Sequence, residues 1–231
     1  MADLTTILFD VGWPIVDETL MHQEWIRKLR ESIGRNGSRD VSEAEIRDIE
    51  KEAIDAYVPL INPYIIWRLV GPNRVLFDRI RADLDRHDFT PYYRLQPGIG
   101  DILRKLHSSF KLGLAANQPS AVGRYLELEG LAKYFVSRKV SADIGYAKPD
   151  IRMFLGVLHD IGSVAEETLM IGDRLDNDIV PAKSLGMLTA WLRLGFHRGQ
   201  EPRYPAEEPD FRIESLEEIL SIPPVSNKSG I

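Results

Sequence analysis

The sequence contains no cysteine among its 231 residues. Disulfide bonds, thiolate metal sites and cysteine nucleophiles are therefore excluded. The sequence also lacks a run of about 20 apolar residues, the length that a membrane-spanning helix requires. Its N-terminus has neither the basic nor the apolar segment of a signal peptide. We therefore expect a cytoplasmic protein with no membrane partner.

The sequence has fewer positive than negative residues, with 29 Lys and Arg against 35 Asp and Glu, and its formal net charge is -6. Proteins that bind nucleic acids usually present a basic face, so no nucleic-acid partner is expected. A small anionic substrate remains compatible with this charge, because a local cation or bound metal can overcome the mean field. The hydrophobic fraction of 44% is that of a globular protein with a sizeable core.

A helical region, rather than a second strand, follows the first apolar strand near the N-terminus. Apolar spacing, a capping box and a proline-initiated turn together predict four consecutive helices. These signals lie at 18–33, at Ser42–Glu45, at Asn62-Pro63 and at 73–86. Because no strand separates them, they predict a helical cap domain over residues 17–93.

The remainder of the chain alternates between strands and helices. The predicted strands lie at 111–115, 135–140, 168–171 and 188–192. Such alternation indicates a parallel sheet with helices on both faces. The sequence thus predicts an α/β protein whose Rossmann-like core comprises residues 1–16 and 94–222. Residues 223–231 are rich in Pro, Ser and Asn, and we expect them to form a flexible tail.

Polar residues stand at the ends of these predicted strands or shortly beyond them. They are Asp10, Asn117, Gln118, Lys148, Asp173 and Asp178. Each alone has an ordinary explanation, such as an acid that caps the next helix. Parallel strands, however, bring their carboxyl ends to one edge of a sheet. Carboxylates gathered there repel one another unless a cation intervenes, and oxygen ligands suit Mg²⁺.

Four motifs in this order resemble those of the haloacid dehalogenase (HAD) superfamily, in the branch with a helical cap after the first strand. They are Phe-Asp-Val-Gly at 9–12, the strand ending near Asn117, Lys-Pro-Asp at 148–150 and Gly-Asp-x-x-x-x-Asp at 172–178. The resemblance covers nearly the whole chain. It implies a hydrolase whose cap closes over the site and selects the substrate.

The resemblance also implies a role for each of these residues. Asp10 would be the nucleophile that forms an aspartyl-phosphate, and Lys148 would pair with it and with the substrate. Asn117 and Gln118 would lie beside the phosphate of a small phosphorylated metabolite. The implied Mg²⁺ ligands are Asp10, the main-chain carbonyl of Gly12, Asp173 and Asp178. Such a protein is expected to be a monomer or a homodimer.

Three positions depart from the pattern of the family. Gly12 replaces the second aspartate, a general acid and base in related phosphatases, and Ala116 replaces a hydroxyl residue. Trp13-Pro14 replaces smaller residues, and we expect Trp13 to plug the pocket or stack on the substrate. Two alternatives to a phosphatase therefore stay open. One is a 2-haloacid dehalogenase, whose halide leaves without a proton, and the other is a binding or regulatory protein that has lost efficient catalysis.

Overall fold

The computed structural model describes residues 3–37 and 39–229. The chain divides into two compact units. The first contains the residues up to Asp17 and those from Arg94 onward, and the second contains residues 18–93. The chain leaves the first unit after β2 (Val16–Asp17) and returns to it at β3 (Arg94–Leu95). These two strands pair with each other as an antiparallel ribbon.

A six-stranded parallel sheet organises the first unit, with strand order β5-β4-β1-β6-β7-β8. Its strands are β1 Thr6–Phe9, β4 Lys111–Ala116, β5 Phe135–Val140, β6 Thr168–Gly172, β7 Leu188–Leu192 and β8 Phe211–Ile213. Strand β1 is buried throughout because it lies between β4 and β6. The prediction of a Rossmann-like α/β core is confirmed.

Helices alternate with these strands along the chain. They are α5 Ile99–His107, α6 Ala121–Leu128, α7 Ser141–Ile144, α8 Ile151–Ile161, α9 Val180–Ser184 and α10 Pro223–Ser229. A π-helical turn, Leu175–Ile179, precedes α9. Such turns widen a helix locally and often occur at functional sites.

The expectation of a flexible tail from residue 223 is wrong, because most of that segment is helix α10. Val225 is buried there, and the Lys228 ammonium donates a hydrogen bond to the main-chain oxygen of Leu4 at 2.8 Å. The composition of the segment is mostly polar and does not reveal that Val225 packs in the core. The last two residues lie outside the described ranges.

Four helices make up most of the second unit, of which all residues but 38 are described. They are α1 Thr19–Arg35, α2 Glu43–Asp55, α3 Ile61–Val70 and α4 Arg74–Asp85. Their facing sides bury one apolar cluster that includes Trp25, Leu29, Ile46, Ile65 and Ile80. The role of this unit as a cap domain stays a prediction.

Three of the four helix starts predicted in this unit lie within one residue of those observed. The side chains of Ser42 and Asn73 cap α2 and α4 by accepting hydrogen bonds from main-chain N–H groups. Helix α3 begins at Ile61 with Leu60 as its N-cap, so the predicted N-cap at Asn62 and first helical residue at Pro63 are each wrong by two residues. Pro63 is still within the first turn, where its missing N–H costs no hydrogen bond. No helix within the described residues is long and apolar enough to cross a bilayer.

Candidate active site

The central strands bring the predicted polar residues to one edge of the sheet. Asp10 follows β1, Asn117 follows β4 and Asp173 follows β6. The register pairs Phe9 with both Leu114 and Ile171, so the three strands end at nearly the same level. The carboxyl edge of the sheet therefore carries the candidate site, as is usual for open α/β sheets.

The side chain of Lys148 lies between two carboxylates at this edge. Its ammonium nitrogen is 2.9 Å from Asp10 Oδ1 and 2.5 Å from Asp178 Oδ1. Lys148 is only 2% exposed and Asp178 is fully buried. Burial acts to lower the pKa of Lys148, but the charges of the two aspartates outweigh it and raise that pKa above its usual value. The ammonium is therefore protonated at neutral pH.

Asn117 holds the main chain of Lys148 through both ends of its amide. Its Nδ2 donates to the Lys148 carbonyl at 2.9 Å, and its Oδ1 accepts from the Lys148 N–H at 2.7 Å. These bonds fix the segment from which the lysine side chain reaches the two carboxylates. The carbonyl of Gln118 accepts from the Ser141 hydroxyl at 3.4 Å. Substrate contacts by Asn117 and Gln118 stay predictions.

Three carboxylates form a buried group that suits a divalent cation. Asp10, Asp173 and Asp178 each offer one oxygen, and these oxygens lie within 4.8 Å of one another. A single ammonium, that of Lys148, faces these three carboxylates, and burial together with the charge of Asp10 raises the pKa of Asp178 despite its pairing with Lys148. Excess negative charge on hard oxygen donors fits Mg²⁺ or a similar ion.

Gly12 is buried two residues after Asp10 and forms a bridge with Val16. The turn that contains it also fixes the candidate nucleophile, since Asp10 Oδ1 accepts a hydrogen bond from the Val11 N–H at 2.7 Å. The predicted role of the Gly12 carbonyl as a metal ligand stays a prediction.

The acidic loop, which we define as residues 173–178, follows β6 and includes most of the π-helical turn. Asp178 folds back so that its Oδ2 accepts from the Arg174 N–H at 3.1 Å. Its side chain then covers Gly172, where a Cβ atom would lie 2.3 Å from Asp178 Cγ. Glycine is required at position 172 because any side chain there would displace Asp178.

Gly172→Ala is expected to destabilise the fold by about 1–3 kcal/mol through overpacking and to disrupt the acidic loop. Gly123→Ala is the matched control, because a Cβ at Gly123 would meet nothing within 4 Å. Urea denaturation of both variants measures the difference in unfolding free energy. Equal stability of the two variants would contradict the packing described here.

Trp13 lies in the left-handed backbone region, with φ of 67°. This conformation costs a non-glycine residue roughly 1–3 kcal/mol, and it is held by a hydrogen bond from the Trp13 N–H to the Val16 carbonyl at 2.8 Å. The indole packs edge-on against Phe196, with ring centroids 5.2 Å apart, and lies directly over Gly195. Substrate stacking by Trp13 stays a prediction.

Two side chains near the acidic loop were missed by sequence reasoning. The Trp191 indole donates to the Asp173 carbonyl, and the Gln200 amide bonds to residues 175 and 176. In the sequence, Trp191 reads as an apolar strand residue and Gln200 as a loop residue. No spacing rule distinguishes them from ordinary core and surface positions.

Comparisons with known proteins find relatives over nearly the whole chain. A model of the HAD-hydrolase-like family matches residues 145–219. The glyceraldehyde 3-phosphate phosphatase of Methanopyrus kandleri is 30% identical over 240 residues, which cover 95% of this chain and 97% of that protein. The phosphoglycolate phosphatase of Vibrio parahaemolyticus is 29% identical, with coverage of 97% and 98%.

The fold also has solved counterparts. The crystal structure of a HAD phosphatase from Thermococcus onnurineus superposes with a TM-score of 0.68 at 24% identity, covering 95% of this chain and 97% of that one. Sequence and fold thus define a hydrolase with a Rossmann-like core. The chain belongs to the HAD-like hydrolase family, which confirms the resemblance seen in its motifs.

Proposed function

We propose that this protein is a Mg²⁺-dependent phosphatase that hydrolyses the phosphate monoester of a small metabolite. The observation that carries the proposal is the buried Lys148 ammonium between Asp10 and Asp178, with Asp173 in the same carboxylate group. Phosphoryl transfer depends chiefly on positioning and on neutralising charge, and this cluster offers both beside a potential nucleophile. The phosphatase names of the full-length relatives support the same reaction.

In the proposed reaction, an Asp10 carboxylate oxygen attacks phosphorus and the bond from phosphorus to the alcohol oxygen breaks. The leaving oxygen takes a proton from water, because Gly12 offers no acid. A second water then attacks phosphorus and gives a proton to the hydroxide left by the first, and the bond from phosphorus to the Asp10 oxygen breaks, which releases inorganic phosphate and restores the Asp10 carboxylate. Lys148 holds Asp10 in place and faces the charge of the phosphoryl oxygens. When bound by Asp10, Asp173 and Asp178, Mg²⁺ would supply further charge neutralisation.

A substrate panel tests this proposal against the two alternatives. The protein is assayed with phosphorylated three-carbon aldehydes and two-carbon acids, which represent the substrates named for its relatives, and with 2-chloropropionate. Phosphate and chloride release are measured with Mg²⁺ and with a chelator. We expect phosphate release that the chelator abolishes. Chloride release that is insensitive to the chelator would instead establish a dehalogenase, and tight binding without turnover would establish a binding protein.

Gly12→Asp is expected to raise turnover of alkyl phosphates, because it restores a group able to protonate the leaving oxygen. General acid catalysis contributes roughly 10²–10⁴-fold, so a gain of about tenfold or more is expected from even an imperfectly placed acid. A 4-nitrophenyl phosphate substrate is the control, since its leaving group needs no proton and its turnover should change little. A well-folded variant with unchanged or slower alkyl phosphate turnover would contradict the idea that the missing acid limits the rate.

A further inference from the structure

Trp191 is a buried strand residue whose polar atom points to the candidate site. It lies on β7, where the register pairs it with Gly172, the residue immediately before Asp173. Its side chain is fully buried, and its Nε1–H donates a hydrogen bond to the Asp173 carbonyl oxygen at 2.9 Å. The indole is thereby bound to the main chain of a candidate metal ligand.

The orientation of this indole is fixed by two guanidinium groups. The guanidinium carbon of Arg193 lies 5.2 Å from the centroid of the Trp191 ring. That of Arg212, the cross-strand partner of Trp191 on β8, lies 5.8 Å from the same centroid. Arg193 is itself paired with Glu214 at 3.0 Å, and Arg212 with Glu208 at 2.7 Å. Cation–π contacts of this kind favour one placement of the ring, so the N–H group is held toward Asp173.

Gln200 secures the next part of the acidic loop. Its Oε1 accepts from the Leu175 N–H at 3.1 Å, and its Nε2 donates to Asp176 Oδ1 at 3.4 Å. The residue is only 3% exposed. Arg174 pairs with the same Asp176 carboxylate at 2.6 Å. The loop is thus tied to the strand behind it and to the segment that follows that strand.

We propose that Trp191 and Gln200 are positioning residues that set the main chain of the acidic loop so that Asp173 and Asp178 face Asp10 before a cation binds. Ligands held in place in advance need less ordering on binding, which raises affinity. Partners that orient metal ligands typically contribute about 10–100-fold to metal affinity. The inference rests on the metal site of the proposed function, and it assigns that site two supporting side chains.

The test is Mg²⁺ binding by calorimetry on the substrate-free protein, with Trp191→Phe and Gln200→Met as the variants. Trp191→Phe retains an aromatic ring and removes the N–H donor, and Gln200→Met retains chain length and removes both polar atoms. Each variant is expected to bind Mg²⁺ about tenfold more weakly than the wild type. Thr189→Val is the matched control, because it removes a buried-strand hydrogen bond on β7, to Asp210 at 2.8 Å, that lies away from the loop.

The control separates positioning from general loss of stability. Thr189→Val should lower the unfolding temperature and leave Mg²⁺ affinity unchanged. Folded Trp191→Phe and Gln200→Met variants with wild-type affinity would overturn the inference, as would an equal loss of affinity in Thr189→Val. A wild type that binds no Mg²⁺ would overturn the proposed metal site as well, so the two failures are distinct.

A measurement on the wild type keeps the test decisive if the variants do not fold. The chain has four tryptophans, and their indole N–H signals are followed by ¹⁵N-edited NMR during a Mg²⁺ titration. The Trp191 signal is expected to shift, because its hydrogen-bond acceptor is the carbonyl of a residue that would bind the ion. An unshifted Trp191 signal at saturating Mg²⁺ would overturn the inference.

Discussion

Asp10→Asn is expected to lower turnover by roughly 10⁴–10⁶-fold, the loss that follows removal of a nucleophile that acts within a catalytic unit. The amide is nearly the same size as the carboxylate, and its oxygen can still accept from the Val11 N–H and from Lys148. The fold should therefore remain intact, because the cluster loses one of its mutually repelling charges. Steady-state kinetics on the best phosphate ester, together with thermal unfolding, measures both effects.

Asp150→Asn is the matched control for that substitution. Asp150 belongs to the same Lys-Pro-Asp motif, but its Oδ1 accepts from the Arg152 N–H at 3.0 Å and caps helix α8. Asparagine is as good an N-cap as aspartate, so activity should be nearly unchanged. Near-wild-type activity in Asp10→Asn, or an equal loss in both variants, would contradict the role given to Asp10.

Lys148→Met is expected to destabilise the protein by about 3–5 kcal/mol, the cost of leaving buried charges without their partner. It should also abolish turnover, because Asp10 loses the cation that holds it. The destabilisation should be smaller in the presence of Mg²⁺, since an ion bound to Asp10, Asp173 and Asp178 would offset their repulsion. Urea denaturation with and without Mg²⁺ measures the destabilisation and its dependence on the ion, and steady-state kinetics measures the loss of turnover.

Lys139→Met provides the comparison for a half-exposed ion pair. Lys139 pairs with Asp160 at 2.8 Å, and the two side chains are 22% and 41% exposed. Exposed pairs contribute about 0–1 kcal/mol, so this variant should be close to wild type in stability. If Lys148→Met were no less stable than Lys139→Met, the buried cluster described here would be incorrect.

Much of the fold was predictable because local patterns agree with the sheet that forms. The apolar run of β1 requires burial on both faces, and the alternation after residue 94 requires parallel crossovers. Strand β8 escaped prediction because a three-residue edge strand that includes the exposed Arg212 has no distinctive pattern. Helix α10 was not predicted because its composition is typical of a flexible tail, and its attachment to the core depends on the burial of Val225.

The members of the candidate site were predictable from the order of the motifs, but the hydrogen bonds that hold them in place were not. The structure brings Asp10, Lys148, Asp173 and Asp178 together, as the order of the strands requires. The Asn117 amide was expected beside a phosphate, yet it bonds to the main chain of Lys148, 31 residues away. Such pairings depend on side-chain orientations in the folded chain, which strand and helix periodicity does not encode.

The central claim is that Asp10 carries the phosphoryl group during turnover. The most direct measurement is acid quenching of the protein during steady turnover of a phosphate ester with Mg²⁺, followed by peptide mass spectrometry. The account predicts one phosphoryl group on Asp10 and none on the Asp10→Asn variant. A phosphoryl group on another residue, or rapid turnover with Asp10 unmodified under every quench condition, would contradict it.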